Sequence, residues 1–194
     1  MQHQTQLETT VLHDLVERSG LGDTEAFGRL YDALYDRLYS YAFKRTFDET
    51  ASQDITANSF YHIMTHIQSF RWQDEPRFYA WVFRITMNEI ASYYRKDKKY
   101  VLTEDWLDIE DASDDESQYE KVIENEQSRL LHEAVDRLPN KLQQVVELYY
   151  FAGQSHADIA LTLGIKEGAA RVRLHRAVEM LHTNMQGEEY AYRG

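Results

Sequence analysis

Five side chains with nitrogen donors crowd one short stretch of the sequence: Lys166, Arg171, Arg173, His175 and Arg176. Guanidinium forks and ammonium groups are the donors that phosphate oxygens and guanine edges require. The residues just before them read as a scaffold. Ser155 and Asp158 have the S-x-x-D spacing of a capping box. Ile159, Ala160 and Leu163 give a short helix its buried face. Gly164 permits a sharp turn, and Ile165 plugs the angle that follows. A second short helix starts near Lys166, with Ala169, Ala170, Val172, Ala177 and Leu181 available for packing. This is the helix-turn-helix pattern, whose second helix enters the major groove. The same succession occurs in helical bundles that never meet DNA, so the motif alone leaves both readings open. Lys166 stands at a helix N-terminus, where a cation opposes the dipole and Ser or Thr would cap better. That cost makes sense if the ammonium meets a phosphate; an indifferent surface lysine is the alternative.

Other chemistries fit poorly. His62 and His66 are four apart, as zinc ligands on a helix can be, but no third ligand stands nearby and the Glu of an H-E-x-x-H site is absent. The run Asp108–Glu120 resembles a calcium loop only superficially: it lacks the loop Gly, and its twelfth position is Tyr119. There is no phosphate-cradling Gly loop and no G-x-S-x-G elbow. The absence of Cys removes disulfides, thiolate metal sites and a thiol nucleophile. The 14 tyrosines fall mostly at helical-face spacing and read as core or amphipathic rim. No enzyme, metal or cofactor is expected.

The elements that position these residues can be read from periodicity. With 8 Gly and 2 Pro in 194 residues, few breaks are available and long helices are favoured over a turn-rich sheet fold. In the first lobe Leu7, Val11, Leu12, Leu15 and Val16 follow helical spacing, with Gly20 as a stop. Asp23 or Thr24 caps a second helix with the face Phe27, Leu30, Tyr31, Leu34, Leu38, Tyr41, Ala42. A third runs from about Glu49 to Gln68. The segment Phe70–Glu75 breaks the pattern, and Pro76 suits the first turn of a fourth helix that ends in the basic tract Arg95, Lys96, Lys98, Lys99. In the second lobe, Leu130 to Leu138 form one helical face ended by Pro139. Leu142, Val145, Val146 and Tyr149 form another. The spacing thus predicts an all-α chain of two small helical domains, residues 5–99 and 121–186, joined by an acidic flexible linker over 100–120.

Net charge is −12, which taken alone argues against a nucleic-acid partner. Its distribution argues the other way. Residues 100–128 hold eleven acids and one base, Lys121, so nearly all the excess is in one segment. Residues 71–99 carry seven bases and four acids, and residues 166–182 carry four bases and two acids. The local field is what a phosphate backbone meets. No stretch approaches the roughly 18 apolar residues of a membrane span, and the N-terminus lacks the basic and apolar regions of a signal peptide. A soluble, cytoplasmic protein without membrane insertion is expected.

Two ordered groups of motifs now resemble one known family. Leu138-Pro-Asn-Lys-Leu-Gln-Gln-Val-Val-Glu-Leu, Gly153-Gln-Ser-His-Ala-Asp-Ile-Ala, Leu163-Gly-Ile-Lys-Glu-Gly and Arg173-Leu-His-Arg-Ala resemble region 4 of the extracytoplasmic-function sigma factors of bacterial RNA polymerase. Gly22-Asp-Thr-Glu-Ala-Phe-Gly-Arg-Leu-Tyr looks like the start of region 2. Gln53-Asp54-Ile55 with Phe60 resembles the polymerase-binding helix. Phe70-Arg71, Phe78 to Ile85, Asn88 and Tyr94-Arg95-Lys96 resemble the promoter-melting segment. The match runs over about residues 20–183 in the family's order.

The resemblance implies a sigma factor that binds core RNA polymerase and promoter DNA, assists promoter opening, and is held by an anti-sigma factor. It assigns Lys166, Arg171, Arg173, His175 and Arg176 to the minus-35 element. It assigns the loop around Arg71, Trp72 and Arg77 to base reading at the minus-10 element. Arg84, Asn88, Ser92, Arg95 and Lys96, three or four apart, would share one helix face toward the opened strand. Trp72, in a loop, is the stacking candidate, whereas Phe78 and Trp81 read as core. Polymerase would be met by the face of Asp54, Ala57, Asn58 and Tyr61. Many relatives have Gln and Glu where this chain has Ala57 and Asn58, which removes an amide and a charge from that face. A sigma-like decoy that sequesters an anti-sigma factor, and a polymerase-independent helix-turn-helix repressor, are the competing readings. The repressor leaves the melting-type segment unexplained, and the decoy has no need of the basic second helix.

Overall fold

The computed structural model describes residues 8–101 and 131–191, with side chains described for 8–95 and 131–184. No strand occurs among the described residues. The acidic linker expected at 100–120 lies, beyond its first two residues, outside them, as do Trp106, Leu107 and Ile109.

Helix α1 spans Thr9–Gly20 and buries Leu12, Leu15 and Val16. Helix α2 spans Thr24–Thr46. Its cap is Asp23, whose Oδ1 accepts from the amides of Glu25 and Ala26 at 3.0 Å each. Such a cap is worth about 1 kcal/mol. The buried stripe Ala26, Leu30, Leu34, Leu38, Tyr41, Ala42, Arg45 recurs every three or four residues, as a single core-facing side demands. The helix stops at Phe47, a non-glycine residue in the left-handed region at φ 49°. Asp48 caps α3, Glu49–His66, which ends two residues earlier than expected because its last turn tightens into a 3-10 turn, Ile67–Ser69. Helix α4 spans Glu75–Val101 with Pro76 in its first turn, where the absent N–H costs nothing.

The second unit begins, among the described residues, with a helical segment α5 over 131–136. Pro139 precedes α6, Asn140–Val146, which widens into one π-helical turn, Glu147–Phe151. Helix α7 spans His156–Leu163, and α8 spans Glu167–Ala191. The last helix is therefore long rather than short: nothing after Leu181 stops it, since Gly187 alone is a weak breaker.

Helix α2 packs between α1 and α3, and α4 closes this layer against α3. The opposite side of α4 packs against α7 of the second unit, and α2 touches the π turn. The two units thus share one continuous apolar core. Tyr41 sits in it at 0% exposure, its ring 5.9 Å from Phe83, and its hydroxyl has no hydrogen-bond partner among the described residues. An unpaired buried hydroxyl carries a desolvation penalty of about 1–3 kcal/mol. Tyr41→Phe should therefore be neutral or stabilising by up to about 1 kcal/mol, read as an unchanged or raised midpoint in urea unfolding.

Candidate nucleic-acid interface

The second unit builds its basic helix on a locally determined scaffold. Ser155 Oγ accepts from the Asp158 amide at 3.2 Å while Asp158 Oδ2 accepts from the Ser155 amide at 3.3 Å, completing the capping box read from the sequence. Gly164 turns the chain at φ 66°. Ile165 packs against the core, and its amide donates to Ala160 O at 2.9 Å. Ala170, Leu174, Ala177 and Leu181 then bury one side of α8. The opposite side presents Arg171, Val172, His175 and Arg176, all exposed, with Arg173 half-buried and Lys166 exposed just before the helix. Arg171 Nη2 bonds Glu167 Oε1 at 2.6 Å, and His175 Nε2 lies 3.3 Å from Glu179 Oε1. Exposed i,i+4 pairs of this kind are worth only about 0.3–0.5 kcal/mol, so they do not withhold Arg171 from a phosphate. Arg173, Arg176 and Lys166 make no ion pair among the described residues.

In the first unit the expected base-reading loop runs from the 3-10 turn to α4. Arg71 is exposed. Arg77 pairs with Asp74, whose Oδ1 also accepts from the Arg77 amide at 2.9 Å and so starts α4. Trp72 is half-buried: one ring face stacks on His13 of α1 at 4.8 Å and 24°, and Phe78 lies 6.0 Å away. Phe78 is core at 0% exposure, and Trp81 is half-buried against Phe70. Arg84, Asn88 and Arg95 are exposed on α4, with Ser92 half-buried between them; the Lys96 side chain lies outside the described ones.

Arg84 is already engaged. Its Nε donates to Thr162 O at 2.7 Å and its Nη2 to Leu161 O at 2.9 Å. Those carbonyls belong to the last turn of α7, where a helix carries partial negative charge. On the far side of the first unit, Asp54, Ala57, Asn58 and Tyr61 are all exposed along one face of α3, beside exposed Met64. His62 turns instead toward α4, with Nε2 3.4 Å from Glu89 Oε1. Among the described residues no three His, Cys, Asp or Glu side chains gather as metal ligands.

One cluster was not anticipated. Arg45, at 3% exposure, donates from Nε to Glu147 Oε1 at 2.7 Å, pairs through Nη2 with Asp136, and donates from Nη1 to Tyr94 Oη at 2.9 Å. Tyr94 Oη in turn donates to Arg45 O at 2.6 Å, and the guanidinium lies 4.3 Å over the Tyr94 ring. Glu147 is 5% exposed, and burial pushes its carboxyl up against the pull of Arg45. A signal was present in the sequence. Arg45 falls in register with the stripe Leu38–Tyr41, and Glu147 interrupts the apolar run Val145–Phe151, so each unit has one charge at a core position. Burial drives the Tyr94 phenol up to about 12. An unfolded tyrosine ionises near 10, so this contribution to stability is present in full below pH 10 and is lost as pH rises through 12. Tyr94→Phe should flatten the loss of stability between those values in alkaline urea titrations. Tyr41 and Tyr79, also raised by burial, leave a residual slope of the same sign.

Comparison with known proteins adds to this geometry. Residues 30–100 match a family model described as Sigma-70 region 2, and residues 128–181 match one described as Sigma-70, region 4; together they span more than half of the chain. The chain is 32% identical over 170 residues to the ECF RNA polymerase sigma factor BldN of Streptomyces coelicolor, covering 87% of this chain and 63% of that one, just under two thirds of its length. It is 29% identical over 181 residues to the ECF RNA polymerase sigma-E factor of Haemophilus influenzae, covering 89% and 94%. Among solved structures, CnrH in complex with the cytosolic domain of CnrY shares the fold with a TM-score of 0.66 at 20% identity, covering 91% of this chain and 98% of that one. The sigma factor RpoE in complex with the anti-sigma factor NepR from Bartonella quintana does so at 0.57 and 21%, covering 84% and 98%.

Proposed function

The chain belongs to the sigma-70 family, among its extracytoplasmic-function members, and we propose that it directs core RNA polymerase to specific promoters and assists their opening. The observation that carries this reading is the exposed cationic side of α8, set on a capped helix-turn-helix within the segment that matches region 4. Arg171, Arg173 and Arg176 contact base edges and phosphates of the minus-35 element, with Lys166 and His175 at the margin. Arg71, Trp72 and Arg77 read the minus-10 element, and Arg84, Asn88, Ser92, Arg95 and Lys96 track the opened strand. The α3 face of Asp54, Ala57, Asn58 and Tyr61 meets polymerase; its full exposure supports that role. An anti-sigma factor is the second protein partner; the fold neighbour RpoE of Bartonella quintana, solved in complex with the anti-sigma factor NepR, supports that reading. The chain acts as a specificity subunit rather than an enzyme, and works in the cytoplasm; no helix among the described residues is long and apolar enough to cross a membrane.

The deciding experiment is runoff transcription from a promoter library with purified core polymerase, with and without this protein. Start sites that share upstream motifs and depend on the chain are the expected result. Footprints on duplex DNA in the absence of polymerase would instead make it an ordinary repressor. Failure to direct any start site, despite tight binding of an anti-sigma factor, would make it a decoy.

A further inference from the structure

Between the 3-10 turn and α4, residues 70–74 are non-helical. A loop of this kind holds a side chain in one orientation only through contacts from more rigid elements. Here they come from α1, which lies outside both segments that match the family models. Thr9, His13 and Gly20 fall on one narrow side of that helix. They meet the loop in reverse chain order. Gly20 abuts its start, where an added Cβ would stand 3.5 Å from Ile67 O and 3.7 Å from Gln68 Cα. His13 meets its middle, the imidazole stacking on Trp72 at 4.8 Å and 24°. Thr9 meets its end, donating from Oγ1 to Glu75 Oε2 at 2.5 Å.

We propose that α1 is a strut for the minus-10 reading loop, and that His13 is its positioning residue, setting the Trp72 ring as a platform on which an unpaired promoter base stacks. The proposal deepens the promoter reading and rests on it for what Trp72 meets, but not for how the ring is held.

Two helices hold the ring. His13 of α1 covers one face, and the fully buried Phe78 of α4 lies 6.0 Å away at 33°. Glu17, one turn on, steadies the imidazole, its Oε1 3.2 Å from His13 Nε2. Trp72 is nevertheless only half-buried, so part of the indole is left for a ligand, and Arg71 and Gln73 are exposed on either side of it. An indole suits any unpaired base, since stacking uses the π-face that every base has. A ring already aimed loses less freedom on binding than a swinging one, and that difference appears as affinity. His13 acts through Trp72, so its removal matters only while Trp72 is present.

The test uses the full chain, free and as holoenzyme with core polymerase. In the free chain, His13→Ala should shift the indole emission and raise its quenching by acrylamide. Both changes should vanish in a Trp72→Phe background, where only Trp81 and Trp106 emit. In the holoenzyme, the probe is the single non-template strand of a promoter found by runoff transcription. Trp72→Ala should weaken its binding roughly tenfold, and His13→Ala roughly threefold to fivefold. His13→Phe, which keeps a ring against the indole, should restore the parent value and guards against a folding defect in His13→Ala. His13→Ala should add nothing to Trp72→Ala, because the two residues act as one unit. Emission and strand binding unchanged by His13→Ala would overturn the proposal. So would an equal loss with and without Trp72, or a loss that His13→Phe does not restore, since either marks a general weakening of the first unit. Promoter-directed starts combined with strand binding indifferent to Trp72→Ala would overturn the platform alone. If the parent directs no start site, the promoter reading falls and the platform with it.

Discussion

A chain carrying Arg171→Glu and Arg173→Glu should lose roughly 30-fold to 10⁴-fold in productive recognition of promoters that depend on an upstream element. The range follows from about 1–3 kcal/mol for each major-groove or phosphate contact, at a factor of ten per 1.4 kcal/mol. The structure makes the substitutions informative. Arg171 is exposed and gives up only a surface pair with Glu167. Arg173 is half-buried, so Arg171→Glu with Arg176→Glu, both exposed, is the companion variant that separates a folding defect from a contact defect. The measurement is open-complex formation by the reconstituted holoenzyme across a salt series. Two lost phosphate neutralisations should also flatten the plot of log affinity against log salt by about 2. Equal activity of variant and parent on such promoters would remove α8 from the interface.

The second large effect is expected in the core. Phe83→Ala should cost about 3–5 kcal/mol. Phe83 is 1% exposed, faces Tyr41, and has the Arg37 guanidinium 5.6 Å from its ring, so truncation empties a site packed against α2. For a chain of this size that corresponds to a fall in thermal midpoint of roughly 6–20 °C. The same guanidinium lies 4.2 Å over Tyr79, so the ring pair holds Arg37 in place at the border of the two units. Phe83→Leu, which keeps most of the volume, should be milder. A Phe83→Ala midpoint within 2 °C of the parent by calorimetry would contradict the burial on which the fold description depends.

These residues also mark how far the sequence could be read. The helix-turn-helix was legible because its determinants are local: a capping box within four residues, a glycine that accepts a left-handed φ, an apolar face at helical spacing. The buried stripe of α2, apart from Tyr31, which is exposed, and Phe27, which is half-buried, and the placing of Pro76 in the first turn of α4 were legible for the same reason. Docking of the two units was not. Its acceptors for Arg84 are main-chain carbonyls of Leu161 and Thr162, which leave no mark in side-chain composition. Another of its contacts is a pair of charges, Arg45 and Glu147, and charges read in isolation as solvent-facing. Trp72 was read as a free stacking platform from its loop position, whereas the structure lays one of its faces on His13, a contact across many residues that periodicity does not encode. The length of α8 follows from the absence of a stop, and the π turn at Glu147–Phe151 has no residue-level signature.

The end of α2 has a consequence for the first unit alone. Phe47 holds a left-handed backbone that costs a non-glycine residue about 1–3 kcal/mol. Part of its support comes from the second unit: besides Phe43 of its own helix at 5.9 Å, the ring meets His132 edge-on at 4.6 Å and 89°, and His132 Nε2 lies 2.8 Å from Lys44 O. Strain in one unit is therefore compensated in part by a ring in the other. Once His132 leaves, the last turn of α2 should fray, and the Phe47 amide, now bonded to Phe43 O at 2.8 Å, should exchange its hydrogen faster. The corner between α2 and α3 would then act as a built-in reporter of whether the two halves are together.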